Sequence, residues 1–350
     1  MHAKVSRSVA CCLAAGIALT LAMATCAANA EDTVIVVGSD GKTPVTRQGQ
    51  ILDYTGTELR LKTAAGREEP ISAARVLDFK TTWTDNHRRA DELRKSGKLP
   101  EAIDAYMRAK ESEPRAWARR QIMAELTTCY AESGRFDLAG DEFLAIVISD
   151  PSTNHLALMP LAWRAFPPDA ALESRAAAWL ALRAKSPAAG LLGASWLLST
   201  SRRAEAITAL EQLAVSRGAG HDSRLASLAD VQLWRTRLVT ARPEDVTRWK
   251  ASATQMPAEI QACAWFVVGE ALARQGQADE AALAYLRVPL VHSQQRVMSA
   301  DALVAAGKQL ESLDRVEQAA GLYREVLEAY AACPAASEAT SRLKTLSAKP

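Results

Sequence analysis

Residues 96–109 read Ser-Gly-Lys-Leu-Pro-Glu-Ala-Ile-Asp-Ala-Tyr-Met-Arg-Ala, and within them Gly97, Ala102, Tyr106 and Ala109, followed by Pro114, decide the fold. The same offsets return 37 residues later as Gly134, Ala139, Phe143, Ile146 and Pro151. They return again as Gly276, Ala281, Tyr285 and Val288, and 38 residues beyond as Asp314, Ala319, Tyr323 and Val326. A further copy runs Ser201, Ala206, Leu210 and Leu213. Each is preceded by a matching helical pair: Ala90 with Leu93, Thr127 with Tyr130, Ala194 with Leu197, Gly269 with Leu272 and Gly307 with Leu310. Small residues let two antiparallel helices approach closely, and the aromatic fills the space between one pair and the next. Self-similarity at this period predicts stacked helix pairs.

These residues resemble the tetratricopeptide repeat (TPR) family. The resemblance implies a mainly α protein, a right-handed TPR-like α-solenoid of about seven helix pairs over residues 83–350. The wide spacings between good copies leave room for degenerate pairs across Leu156–Ala184 and Asp222–Thr254. The closing stretch Tyr323-Arg-Glu-Val326-Leu-Glu-Ala-Tyr330, with Cys333-Pro334 and Ala336-Ser337-Glu-Ala339, is similar to repeats of bacterial envelope proteins, the outer-membrane assembly lipoproteins and the Tol-Pal coordinators. An Ala-Cys insertion between Tyr330 and Pro334 departs from that pattern.

Upstream of the repeats, residues 31–82 read as short strands. Thr33–Val37, Val45–Tyr54, Glu58–Thr63, Glu68–Ile71 and Val76–Lys80 are the candidates, and Leu59-Arg-Leu61-Lys alternates apolar with charged. Gly56 and Gly66 fall where tight antiparallel turns are needed. This module resembles a small five-stranded SH3-like or Sm-like β-barrel, and only the shape is carried over from that likeness. Residues 1–30 read as a secretory signal peptide: Lys4 and Arg7, an apolar run Val9–Met23, and Ala28-Asn29-Ala30, which places cleavage after Ala30. The expected compartment is therefore periplasmic or secreted. Membrane association would require an uncleaved signal or lipidation of Cys26, where Met23 and Thr25 depart from the lipoprotein pattern.

Charge narrows the partner class. The chain carries 42 Lys+Arg against 40 Asp+Glu, and with Lys4 and Arg7 removed the remainder is neutral. No basic excess draws a nucleic acid, so none is expected. Gly38-Ser-Asp-Gly41-Lys42-Thr43 follows a strand as a phosphate loop would, but Val36 stands where its first glycine belongs and Pro44 continues toward a strand. It reads as a hairpin turn. Beyond residue 30 the histidines at 87, 155, 221 and 292 are isolated, as surface or capping residues are, and no Cys-x-x-Cys occurs, so neither metal nor cofactor is expected. Gly193-Ala-Ser195-Trp-Leu197 and Ser341-Arg-Leu-Lys344 only partly match nucleophile motifs, and Glu68-Glu69 and Glu111/Glu113 read as exposed charges. No enzyme is expected. Cys129 reads as a buried thiol, and spacing does not support a Cys263–Cys333 bridge. The tryptophans at 83, 117, 163, 179, 196, 234, 249 and 265 either fill the core or form a binding stripe; Trp196 and Trp265 are assigned to the core.

In a TPR-like solenoid the first helices line the concave face. The resemblance implies a partner groove built from His87, Asp91, Arg94, Lys95, Gln121, Thr128, Glu132, Glu270, Arg274, Asp301, Lys308 and Glu311. His87 and Asp91 replace the Lys and Asn of the chaperone-binding clamp, so a chaperone tail is not implied. The expectation is a non-catalytic scaffold that holds an envelope protein or peptide segment in this groove. Two alternatives stand beside it: recognition by the β-module, of a glycan or a membrane-proximal protein, with the helices as spacer, and a homo-oligomer built on end-to-end contacts.

Overall fold

The computed structural model describes residues 31–216 and 222–348. The signal segment, its cleavage point after Ala30, Cys26 and His221 lie outside the described residues. Five strands come first: β1 (Asp32–Val37), β2 (Pro44–Tyr54), β3 (Glu58–Lys62), β4 (Glu68–Ser72) and β5 (Val76–Lys80). The helices follow as α1 (Asp85–Lys95), α2 (Leu99–Ser112), α3 (Ala116–Glu132), α4 (Phe136–Ser149), α5 (Ala170–Ala181), α6 (Pro187–Leu197) and α7 (Arg203–Val215). After these come α8 (Ser223–Thr236), α9 (Pro243–Gln255), α10 (Ala258–Arg274), α11 (Ala278–Val291), α12 (Arg296–Ser312), α13 (Val316–Ala329) and α14 (Ala335–Ser347). The chain is thus mainly helical with a small N-terminal antiparallel sheet.

The sheet runs in the order β4-β3-β2-β1-β5. β2 serves both halves: it pairs with β1 as far as Gly49 and with β3 from Gln50 onward. Leu59 and Leu61 point inward while Glu58, Arg60 and Lys62 face water, as the alternation requires. The inward face does not close on itself alone. Val34, Val36, Ile51, Leu59, Leu61 and Ile71 share one core with Trp117 and Ala118 of α3. The Trp117 indole N–H donates to the Ile51 carbonyl at 3.1 Å, and Arg120 bridges to Asp53 and to the Tyr54 carbonyl. Gly56 lies so close to residue 152 that a Cβ there would overlap the Ser152 carbonyl, while its own N–H donates to Asp150 at 2.9 Å. The second expected turn glycine, Gly66, sits at φ 77°.

The recurring glycine of the repeats ends the first helix of each pair. Gly97, Gly134 and Gly276 adopt φ of 74°, 75° and 73°, and Asp314 occupies the same place at 59°. In each turn the next N–H reaches back to the helix. Lys98, Arg135, Gln277 and Arg315 donate to the carbonyls of Leu93, Tyr130, Leu272 and Leu310 at 2.9, 2.9, 3.0 and 2.9 Å. This is the Schellman closure, which requires a left-handed residue just past the helix end. The small and aromatic positions then meet across the pair: a Cβ on Gly269 would lie 2.7 Å from the Tyr285 ring, and one on Gly307 2.5 Å from the Tyr323 ring.

Helices pack as the pairs α1/α2, α3/α4, α5/α6, α7/α8, α10/α11 and α12/α13, with α6 also against α7, α9 against α10, and α14 against α13 and α12. Two helices, α8 and α9, form where a pair is expected at Asp222–Thr254, but α8 packs on α7 and α10 and α9 on α10, so the two meet through the Trp234–Trp249 stack and not as a repeat pair. The one expected across Leu156–Ala184 is absent: only α5 forms there, after a single 3₁₀ turn at Leu156–Leu158. Pro160, Pro167 and Pro168 explain this, since each lacks an N–H and disfavours a helical residue before it. Instead, residues 159–166 run as an irregular strap. The helical arc also comes back on itself, because α12 packs against α3 and Arg296 Nε lies 2.7 Å from Glu132 Oε1.

Asp314 is the one described non-glycine residue in a left-handed conformation. Asp314→Gly is expected to raise unfolding stability in urea by about 0.5–1 kcal/mol, and Gly276→Ala to lower it by about 1 kcal/mol.

Candidate functional site

The side chains expected to line a groove lie on α1, α3, α10 and α12, and the structure places most of them in three settings that share Asp91 and Glu270. The first has structural work within its own helix pair. Asp91, Glu270 and Glu311 accept hydrogen bonds from the hydroxyls of Tyr106, Tyr285 and Tyr323, one per repeat. A buried phenol needs such a partner, so these carboxylates complete the packing of the aromatic that defines the repeat. Glu311 also takes Arg342 of α14. His87 is buried rather than groove-facing: its ring stacks on Trp83 with centroids 4.0 Å apart, and its Nδ1 lies 3.6 Å from Asp91 Oδ2. Burial pushes the imidazole below its ordinary pKa, opposed by Asp91 and Glu113.

The second group lines an open cleft of about 580 Å³ where the first repeat faces the last. Asp91, Arg94, Lys95 and Glu132 lie on one wall, and Arg296 with the α13–α14 turn forms the other. Arg94 bridges Glu125 and Glu132, and the latter is buried between Arg94 and Arg296. Lys95 and Glu328 are exposed at the rim. The third group, Glu270, Arg274, Asp301 and Lys308, lines a recess of about 260 Å³ between α10 and α12. Gln121 is half-buried on α3, and Thr128 borders a narrow, mainly apolar space of about 90 Å³ beside the strap.

Between cleft and recess the strap fills the interior. Met159, Pro160, Leu161 and Ala162 are buried. Trp196 Nε1 donates to the Pro160 carbonyl at 2.9 Å, and the Ala162 N–H donates to Ser195 Oγ at 3.2 Å. Gln232 Nε2 donates to the Ala162 carbonyl at 3.1 Å. The Arg164 side chain then reaches Asp301 at 3.0 Å and Glu338 at 2.6 Å. Lys308 pairs with the same Glu338. Arg164 thus links α12 and α14, a role that no local pattern in the sequence announces.

Several other expectations change. Glu113, read as an exposed helix-end charge, is buried, with Arg115 forked onto it and lying over the Trp83 and Trp117 rings. His155 is half-buried and pushed down to about 4 by burial and Arg120, and His292 is buried at the end of α11. Trp196 and Trp265 are core, and so are Trp117 and Trp234, the latter stacked on Trp249 at 5.3 Å. Cys129, Cys263 and Cys333 are free and buried, and burial pushes each thiol up to about 12. At neutral pH they hold their protons and are poor nucleophiles. Among the described residues no group of three or more His, Cys, Asp or Glu side chains could hold a metal, and no helix is long and apolar enough to cross a membrane.

Comparison with protein-family models finds no match, and comparison with curated proteins finds none either. The site is therefore read from its own chemistry, and the Arg164 anchor gives the sharpest test. Burial raises Asp301 from 3.8 to about 6, with Arg164 pulling it back. A carboxyl raised by folding binds more protons in the folded state, so its contribution weakens stability as pH rises from about 4 to 6. Arg164→Ala is expected to cost about 2 kcal/mol near neutral pH and to extend that loss to higher pH. Adding Asp301→Asn should recover part of the stability and flatten the pH dependence, both read by urea unfolding across the pH range.

Proposed function

We propose that this chain is an exported, non-catalytic scaffold: a right-handed TPR-like solenoid with an SH3-like or Sm-like barrel at its start, holding a segment of another envelope protein. The leader-like first thirty residues and the likeness to envelope repeats support the compartment. The observation that carries the binding reading is the cleft of about 580 Å³ between α1, α3 and the α13–α14 turn. It keeps four of the expected groove residues together and is the largest open space among the recesses described above. The strap closes the middle of the arc, so the partner segment is held at this mouth and does not run the length of the concave face.

The reading in which the β-module recognises the partner has less support. The module's apolar face is already spent on Trp117 and Ala118 of α3. An oligomer through solenoid ends would have to use α14, whose inner side already packs on α12 and α13.

The test is crosslinked affinity capture from a cell-envelope extract with the unmodified protein and a Lys95→Glu/Glu328→Lys variant. Both residues are exposed at the cleft and make no ion pair among the described residues, so folding should be unaffected. The reading expects one partner to be captured by the unmodified chain and lost or weakened about tenfold by the variant. Identical capture by both would contradict it.

A further inference from the structure

Behind the strap, where Arg235 Nη2 donates to the Arg164 carbonyl at 3.2 Å, three arginines from three helices converge. Arg203 of α7, Arg235 of α8 and Arg274 of α10 line one recess of about 50 Å³, with Glu270 as the one carboxylate lining it. Three guanidiniums against one carboxylate leave this lining a formal charge of +2. Arg203 and Arg274 are exposed at its edge and Arg235 is half-buried, whereas the half-buried or buried Arg94, Arg115, Arg120 and Arg164 meet acids directly. Here none of the three arginines forms an ion pair among the described residues.

Their other duties use only part of their donors. Arg203 donates to the Leu198 carbonyl at 2.8 Å and the Thr236 carbonyl at 3.3 Å, which ties down the ends of α6 and α8. Arg235 donates to the Arg164 carbonyl, to Gln232 and, at 3.4 Å, to the Ser195 carbonyl. Arg274 makes no side-chain hydrogen bond among the described residues. A guanidinium has five N–H groups in a rigid fork, so each retains donors for a further acceptor. Burial pushes Arg235 down to about 10 against the pull of Glu270, and the Arg203 charge adds to the fall. Taking such a cation out of water without a counter-charge is unfavourable, and an anion in the recess would relieve it.

We propose that this recess binds a phosphate group, either as the free ion or as a monoester. A dianion matches the surplus of two positive charges, whereas a carboxylate would leave half of it. Arginine forks fit the oxygens of a tetrahedral phosphate. A space of about 50 Å³ holds more than the about 10–15 Å³ that one water needs. Glu270 and Arg274 also border the recess of about 260 Å³ between α10 and α12, which offers room for the organic part of an ester. Trp163 and Leu238 supply an apolar wall on the inner side.

The assignment is independent of partner capture, because it is tested on the purified full chain with small ions. Calorimetric titrations with inorganic phosphate, glycerol phosphate and acetate would be run at about pH 7.5 and fixed ionic strength, where a monoester with its second pKa near 6 is a dianion. Phosphate or its monoester is expected to bind at least about tenfold more tightly than acetate, in line with the stronger attraction of a dianion. Arg274→Ala should weaken that binding at least about tenfold while leaving the unliganded melting temperature unchanged, since the side chain has no bonded partner to lose. Tighter binding of glycerol phosphate assigns the site to monoesters, and tighter binding of the inorganic ion assigns it to free phosphate. Equal affinity for acetate, undiminished binding in Arg274→Ala, or no detectable binding of either phosphate would each overturn the proposal.

Discussion

The architecture depends on how the chain satisfies the backbone of residues 159–166 inside its own helical arc. Prolines keep this stretch from forming a helix, yet residues 159–162 are buried away from water, so their carbonyls and N–H groups need side-chain partners. Trp196, Ser195, Gln232 and Arg235 provide them, from α6 and α8. Arg164 then extends the strap to Asp301 and Glu338, drawing α12 and α14 toward the middle of the molecule. The cleft and the recess share no lining residue.

The same logic explains the acids expected on a concave face. Each repeat that uses a tyrosine to fill the space between helices must give its hydroxyl an acceptor, and Asp91, Glu270 and Glu311 serve. These carboxylates therefore look like a recognition stripe in sequence while performing a packing role. The N-terminal sheet is bound to the helices by comparable means. Its core is completed by Trp117, and Gly56 permits the close approach of residue 152, so sheet and helices share one set of buried side chains.

Much of the fold is legible in the residues themselves. The Gly97, Gly134 and Gly276 spacing marks left-handed helix ends, and Gly269 with Tyr285 and Gly307 with Tyr323 touch as their positions suggest. Strand bounds agree to within a residue or so, because the alternation around Leu59 and Leu61 reports burial directly. The absence of a helix before α5 is legible in Pro160, Pro167 and Pro168, against the regular repeat length that suggests one. The site was less legible. That Arg164 meets Asp301, 137 residues away, depends on the path of the strap and on the return of α12 to α3. Nor does periodicity reveal that His87 turns inward to stack on Trp83, because a first-helix position can face either the groove or the neighbouring pair.

The central claim is that the strap is a fixed part of the interior and not a removable occupant of the groove. Amide hydrogen exchange at Ala162, whose N–H is held by Ser195 Oγ, tests it most directly. If the strap is integral, Ala162 exchanges as slowly as the amides of the buried helix α6, through unfolding of the whole molecule. If it exchanges orders of magnitude faster than α6 under native conditions, the strap opens locally, the groove is continuous when it does, and this account of two separate openings is wrong.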